Sequence, residues 1–230
     1  MSTLFARFRY LLYKKKLLCL LLTLLLPFSF SACRDSVDYT QFVSELRGNI
    51  FLAETEEFSL RIFSIRKENP YRADGIPQET SERTEIYLTA QSGNKACHIS
   101  FSVNGKNYGG DMSFDNVKTE YYYSCTLDTS NERELICALQ YGEAEHTLTA
   151  VSVKTSDTLP PMQVLAELQK TEAELFASMT DKYGFAGEIY LRLIYEDAPY
   201  YYVGVIDRQG EVNAFLINAK TGEILAKRKT

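Results

Sequence analysis

The sequence predicts an all-β domain followed by an α+β domain, and three observations carry the prediction. Over residues 57–153 apolar side chains recur with period two, β-branched and aromatic residues alternating with polar ones between closely spaced turns. From Leu165 to Tyr183 the period becomes that of a helix, and beyond Gly184 it returns to two. The change falls at the polar stretch 155–161, which Pro160-Pro161 stiffens. A proline is well suited to the first turn of a helix, where its missing N–H has no intrahelical partner to lose.

The first 32 residues read as an export signal. Arg7, Arg9, Lys14, Lys15 and Lys16 precede an apolar run over 17–30, with no acidic residue among them. At 1.5 Å per residue that run makes a helix of about 21 Å, short of the ~30 Å hydrocarbon core of a bilayer. The alternative is an uncleaved anchor, with the run stretched across a thinned bilayer. Directly after it, Phe30-Ser31-Ala32-Cys33 resembles the bacterial lipobox, in which small residues precede a cysteine that receives a diacylglycerol thioether and becomes the first residue after cleavage. The resemblance implies lipid attachment at Cys33 and a place on the extracytoplasmic face of the cell membrane.

Composition sets bounds on the chain beyond the signal. An aromatic share of 13% and a hydrophobic share of 45% are those of a folded chain. Loss of the five basic residues of the signal leaves 20 Lys and Arg against 30 Asp and Glu, a net charge of −10. That sign argues against a nucleic-acid partner, because neutralising phosphates requires a cationic surplus. The same sign repels anionic lipid, so the lipid at Cys33 and not charge is expected to hold the protein at the membrane.

The division expected is signal 1–32, lipid-anchored tether and short helix 33–56, β-sandwich 57–155 and α+β domain 156–230. In the tether, Tyr39, Phe42, Val43 and Leu46 stand at i, i+3, i+4 and i+7, a helical face closed by Gly48. In the β domain, strands are predicted at 58–62, 84–90, 97–103, 120–127, 135–141 and 146–153 around a long polar connection, 67–83. The strand 97–103 runs into Asn104-Gly105, the dipeptide that best tolerates the two positive φ angles of a type I′ hairpin. About seven short strands suit an immunoglobulin-like sandwich more than a barrel, although the chain has no Trp.

Cys97, Cys125 and Cys137 share parity with apolar neighbours and are expected to point inward. Two readings stand for Cys125 and Cys137: buried thiols, or a disulfide across a hairpin closed by the turn-rich 128–133, which an oxidising compartment would permit. Cys97 and His98 are adjacent on one strand, so their side chains leave on opposite faces and cannot act as thiolate and base. No H-x-x-x-H, C-x-x-C, Walker or G-x-S-x-G pattern occurs, so no metal, cofactor or catalytic residue is assigned.

In the α+β part, Leu165, Leu168, Leu175, Phe176, Met179 and Tyr183 form a helical stripe ending at Gly184. Strands 188–195, 200–207, 211–217 and 224–227 come next, joined by tight turns. The run Tyr202-Val203-Gly204-Val205, then Gly210, then Ile217-Asn218-Ala219-Lys220-Thr221-Gly222-Glu223-Ile224-Leu225 resembles the PepSY domain family. The resemblance covers about a third of the chain and implies a small helix-plus-meander module that binds or restrains other proteins, with no catalytic residue. The sheet face away from the helix, with Tyr202 and Arg192, and the solvent side of the Tyr121-Tyr122-Tyr123 strand at Tyr122 are the candidate binding surface. The functional expectation is an extracytoplasmic, membrane-anchored lipoprotein acting as a protein-binding or regulatory module, with residues 162–230 as the part that folds alone and binds. The alternatives are a carboxylate-based envelope hydrolase and a solute- or glycan-binding lipoprotein.

Overall fold

The strand on which the fold turns is one whose periodicity disguises it. A computed structural model describes residues 37–69, 76–91 and 93–230; the signal, Cys33 and most of the tether lie outside the described residues. The helix expected at Tyr39 to Leu46 is instead a 3₁₀ turn, Tyr39–Phe42, leading into the 12-residue strand β1, Val43–Glu54. Both faces of β1 are buried along most of its length, so its apolar residues do not alternate. A bulge interrupts its pairing between Arg47 and Asn49, around Gly48, where an added Cβ would stand 3.3 Å from the Cβ of Ser130.

Of the next eight strands, six match the period-two expectation, with β2 and β3 longer than expected, and β5 and β6 are additional: β2 Phe58–Glu68, β3 Thr80–Ala90, β4 Cys97–Val103, β5 Lys106–Asp111, β6 Ser113–Asp115, β7 Glu120–Cys125, β8 Glu134–Tyr141 and β9 Ala144–Ser152. Asn104 and Gly105, at φ 51° and 74°, turn β4 into β5 as the dipeptide requires. Two arms leave β1: one runs β2, β3, β7, β6, and the other runs β9, β8, β4, β5. Only Met112 separates β5 from β6, and its N–H donates to the Cys97 carbonyl at 2.8 Å, so the arms meet and nearly close a barrel. Phe51, Leu60, Ile62, Ile86, Leu88, Ile99, Leu139 and Leu148 fill it.

The C-terminal part opens with α1, Pro161–Thr171, and α2, Ala173–Ser178. Pro161 sits in the first turn of α1 as expected. The stripe ends earlier than predicted: Met179 and Tyr183 fall outside the helices, and Gly184 belongs to a two-residue hairpin of β10, Thr180–Asp181, with β11, Gly184–Phe185. Four antiparallel strands complete the chain: β12 Gly187–Tyr195, β13 Pro199–Asp207, β14 Val212–Asn218 and β15 Ile224–Lys229. Val164, Leu165 and Leu168 of α1 are buried, as are Ile189, Leu191, Leu193, Val203 and Val205 of the strands it lies against.

The expected fold class, an immunoglobulin-like sandwich followed by a PepSY-like α+β module, is corrected by the strand pairing. β12 pairs in parallel with the first half of β1, Val43 opposite Ile189 and Arg47 opposite Arg192, while the second half of β1 pairs with β9. All the strands except β10 and β11 therefore belong to one 13-stranded, mostly antiparallel sheet with a near-closed barrel, and the described residues hold only two short α-helices. Without β1, the outer edge of β12 would present a row of unpaired backbone groups. Contacts join residues 39–230 into one unit. No helix among the described residues is long and apolar enough to cross a membrane.

Candidate binding face

On the side of β12 and β13 away from α1, alternation exposes Tyr190 and Arg192 beside Tyr202, and register carries that face across the sheet. Tyr202 is opposite Arg192, Arg192 opposite Arg47, Phe63 opposite Glu85, Arg61 opposite Tyr87, and Tyr87 opposite Tyr122. From β13 to β7 this is five strand spacings, roughly 24 Å at ~4.8 Å each. The three candidate binding residues, Tyr202, Arg192 and Tyr122, thus share one sheet face, with the first two adjacent and the third at the far end.

The centre of the face is an ion cluster. Arg192 donates from Nε to Oε1 of Glu45 at 2.7 Å and from a terminal nitrogen to Oε2 at 2.8 Å, while Lys67 Nζ lies 3.6 Å from Oε2. Burial by itself would raise the Glu45 carboxyl, but the Arg192 hydrogen bonds and the charges of Arg192, Lys67 and Arg47 outweigh it and hold the group below its ordinary value. The Arg192 guanidinium also lies 4.7 Å from the Tyr190 ring centroid. Arg192 is therefore a locked structural residue as well as a surface one, a role that strand alternation alone does not signal.

Beside it, Arg47 stacks over Phe63 at 4.5 Å, and its Nε is buried with no hydrogen-bond partner. Burial lowers the affinity of this guanidinium for its proton, and the neighbouring Arg192 charge adds to that against the opposing pull of Glu45 and Glu85. An unsatisfied buried donor costs on the order of 1–3 kcal/mol. Further along, rings continue the face: Phe63 and Tyr87 at 5.6 Å, then Tyr87 and Tyr122 at 5.1 Å. Arg61 bonds Glu120 at 2.8 Å, and the Tyr87 hydroxyl donates to Glu85 at 3.0 Å. Glu45 and Arg47 give no signal in the sequence, because the spacing of apolar residues over 39–46 is helical, and Phe63 and Tyr87 join them on one face only through the pairing of β1 with β2 and of β2 with β3.

The disulfide reading for Cys125 and Cys137 is corrected. β7 pairs with β3 and β6, whereas β8 pairs with β4 and β9, so the two cysteines are not opposite each other. Cys125 faces Thr84, and Cys137 lies between Phe101 and Leu148; both are free thiols, as is Cys97. The segment 128–133 is no hairpin turn. It crosses from one arm to the other, held where the Asn49 side chain donates to the carbonyls of Ser130 and Glu132 at 3.3 and 3.0 Å. His98 faces solvent beside Asp111 while Cys97 is buried, on opposite faces as their adjacency requires.

A concavity of about 540 Å³ lies on the outer side of β4, β5, β8 and β9, with Ser100, Ser102, Asn107, Ile136 and Thr147 in its lining. Glu134 is its single carboxylate, so it lacks the carboxylate pair that a glycoside-hydrolase mechanism uses. Among the described residues no group of three or more His, Cys, Asp or Glu is placed to hold a metal ion. No family model matches the chain, and neither a curated protein nor a solved structure matches it.

Proposed function

We propose that this protein is a lipid-anchored, extracytoplasmic lipoprotein that acts by binding another protein, and that the face from Tyr202 to Tyr122 is its contact surface. The export pattern ending in Cys33 supports the location. The observation that carries the binding role is the composition of the face: half-buried Tyr, Phe and Arg side chains, the types enriched at the energetic centres of interfaces, laid out over six neighbouring strands. Partly buried rings and guanidinium groups lose little side-chain freedom on contact, which lowers the entropic cost of binding.

A photo-crosslinking residue placed at Tyr202 or Tyr122 in the membrane-resident protein is expected to yield a defined adduct, and one at Ser102 on the opposite layer is not. Adducts from Ser102 alone would place the contact surface on the other layer. Cys33→Ala is expected to leave the protein uncleaved or to release it from the membrane fraction. Retention there by Cys33→Ala, together with undiminished lipid labelling, would remove the anchor from the reading.

A further inference from the structure

Resting on the reading of this face as the contact surface, we propose that Arg47 receives a carboxylate of the partner, carried by an Asp or Glu side chain on an extended acidic peptide segment. Arg47 is a cation with no internal acceptor: no described residue accepts a hydrogen bond from it, and its Nε is buried. The two carboxylates that act on it are otherwise engaged. Both oxygens of Glu45 are taken by Arg192, and Glu85 accepts the Tyr87 hydroxyl at 3.0 Å. Its register partner on β12 is Arg192, a second cation, which the single carboxylate of Glu45 already neutralises. Arg47 is therefore left without a hydrogen-bonded carboxylate of its own.

Geometry and charge select the ligand. The Phe63 ring, 4.5 Å from the guanidinium carbon, supports its plane, and a planar guanidinium pairs with a planar carboxylate through two parallel N–H bonds, which the two terminal nitrogens of Arg47 can offer although its Nε is buried. A free phosphate would be drawn to Arg47 by charge but makes none of the ring contacts that border the position, which favours a carboxylate carried on a peptide. The rings of Tyr202, Phe63 and Tyr87 border the position, and the roughly 24 Å between the ends of the face matches about seven residues of extended chain at ~3.3 Å each. A short acidic peptide with interspersed apolar or aromatic residues fits both features.

The test uses full-length lipidated protein in detergent micelles and a fluorescent, end-blocked heptapeptide alternating Asp or Glu with Tyr. Its counterpart carries Asn and Gln at the acidic positions. The acidic peptide is expected to bind at least ten-fold more tightly than the amide counterpart, and millimolar inorganic phosphate is expected not to displace it. Arg47→Met is expected to reduce binding of the acidic peptide to the level of the amide one, with a melting temperature equal to or above that of the parent protein, because a desolvated charge without a partner has been removed. Equal binding of the two peptides, no binding of the acidic one at millimolar concentration, undiminished binding by Arg47→Met, or displacement by phosphate would each overturn the assignment. A melting temperature several degrees lower in Arg47→Met would also overturn it, by showing the residue to be structural. Crosslinks at Tyr202 and Tyr122 that persist in Arg47→Met after such a result would leave the face as the contact surface and remove only the carboxylate; their absence from both proteins would remove the face itself.

Discussion

Arg192 and Glu45 stand 147 positions apart in the chain and meet in a two-bond ion pair across the junction of β12 and β1. Glu45 is buried and Arg192 is about two-thirds covered, so the pair sits where removing one member strands the other. Breaking a buried pair costs ~3–5 kcal/mol, and the partial exposure of Arg192 reduces that to ~2–3 kcal/mol. Arg192→Ala should therefore melt roughly 5–10 °C lower for a domain of this size. Arg192→Met combined with Glu45→Leu should lose much less. An unchanged melting temperature for Arg192→Ala would mean that the pair contributes nothing net.

The same pair predicts an acid sensitivity. The Glu45 carboxyl is held below its ordinary value of 4.5 in the folded protein, so between the two values the unfolded chain binds more protons and stability rises with pH. The contribution of Glu45 is complete above about 4.5 and is lost as pH falls through the folded value. Urea melts from pH 6 down to pH 3 should show that loss, and Glu45→Gln should flatten the slope in this range. A slope unchanged by Glu45→Gln would assign the acid sensitivity to other groups.

The parallel pairing of β12 with β1 bears on whether the C-terminal part folds alone. Residues 156–230 by themselves leave the β12 edge open and lose Val43 and Leu46, which stand beside Ile189 and Leu191 on the neighbouring strand of the sheet. The fragment is expected to melt without cooperativity, monitored by far-ultraviolet circular dichroism, and residues 39–54 added as a peptide should restore a transition. A cooperative melt of the fragment alone would show that β1 is dispensable to it.

Thiol reactivity should track burial. Cys125 is half-buried, whereas burial pushes the Cys97 and Cys137 thiols up to about 12, leaving almost no thiolate at neutral pH. In native, unreduced protein a maleimide is expected to label Cys125 first and the other two only on unfolding. Total labelling of Cys97, Cys125 and Cys137 after denaturation should reach three. A count of one would restore a disulfide.

Much of the fold is legible in the sequence because strand position, helix start and turn type depend on residues adjacent in the chain. Period two locates β4, β8 and β13, Pro161 opens α1, and Asn104-Gly105 closes a hairpin through backbone angles that few other dipeptides adopt. Of the binding face, Tyr202, Arg192 and Tyr122 can be assigned to the outer sides of their strands, because alternation sorts inside from outside. Tertiary structure alone decides which strands become neighbours. Any open strand edge offers the same N–H and C=O groups, so local pattern does not say that β1 lies beside β12 or that Cys125 and Cys137 fall in different arms. β1 itself is hidden because a strand buried on both faces loses its alternation, and with it goes the sight of Glu45 beneath Arg192 and of Arg47 beside it.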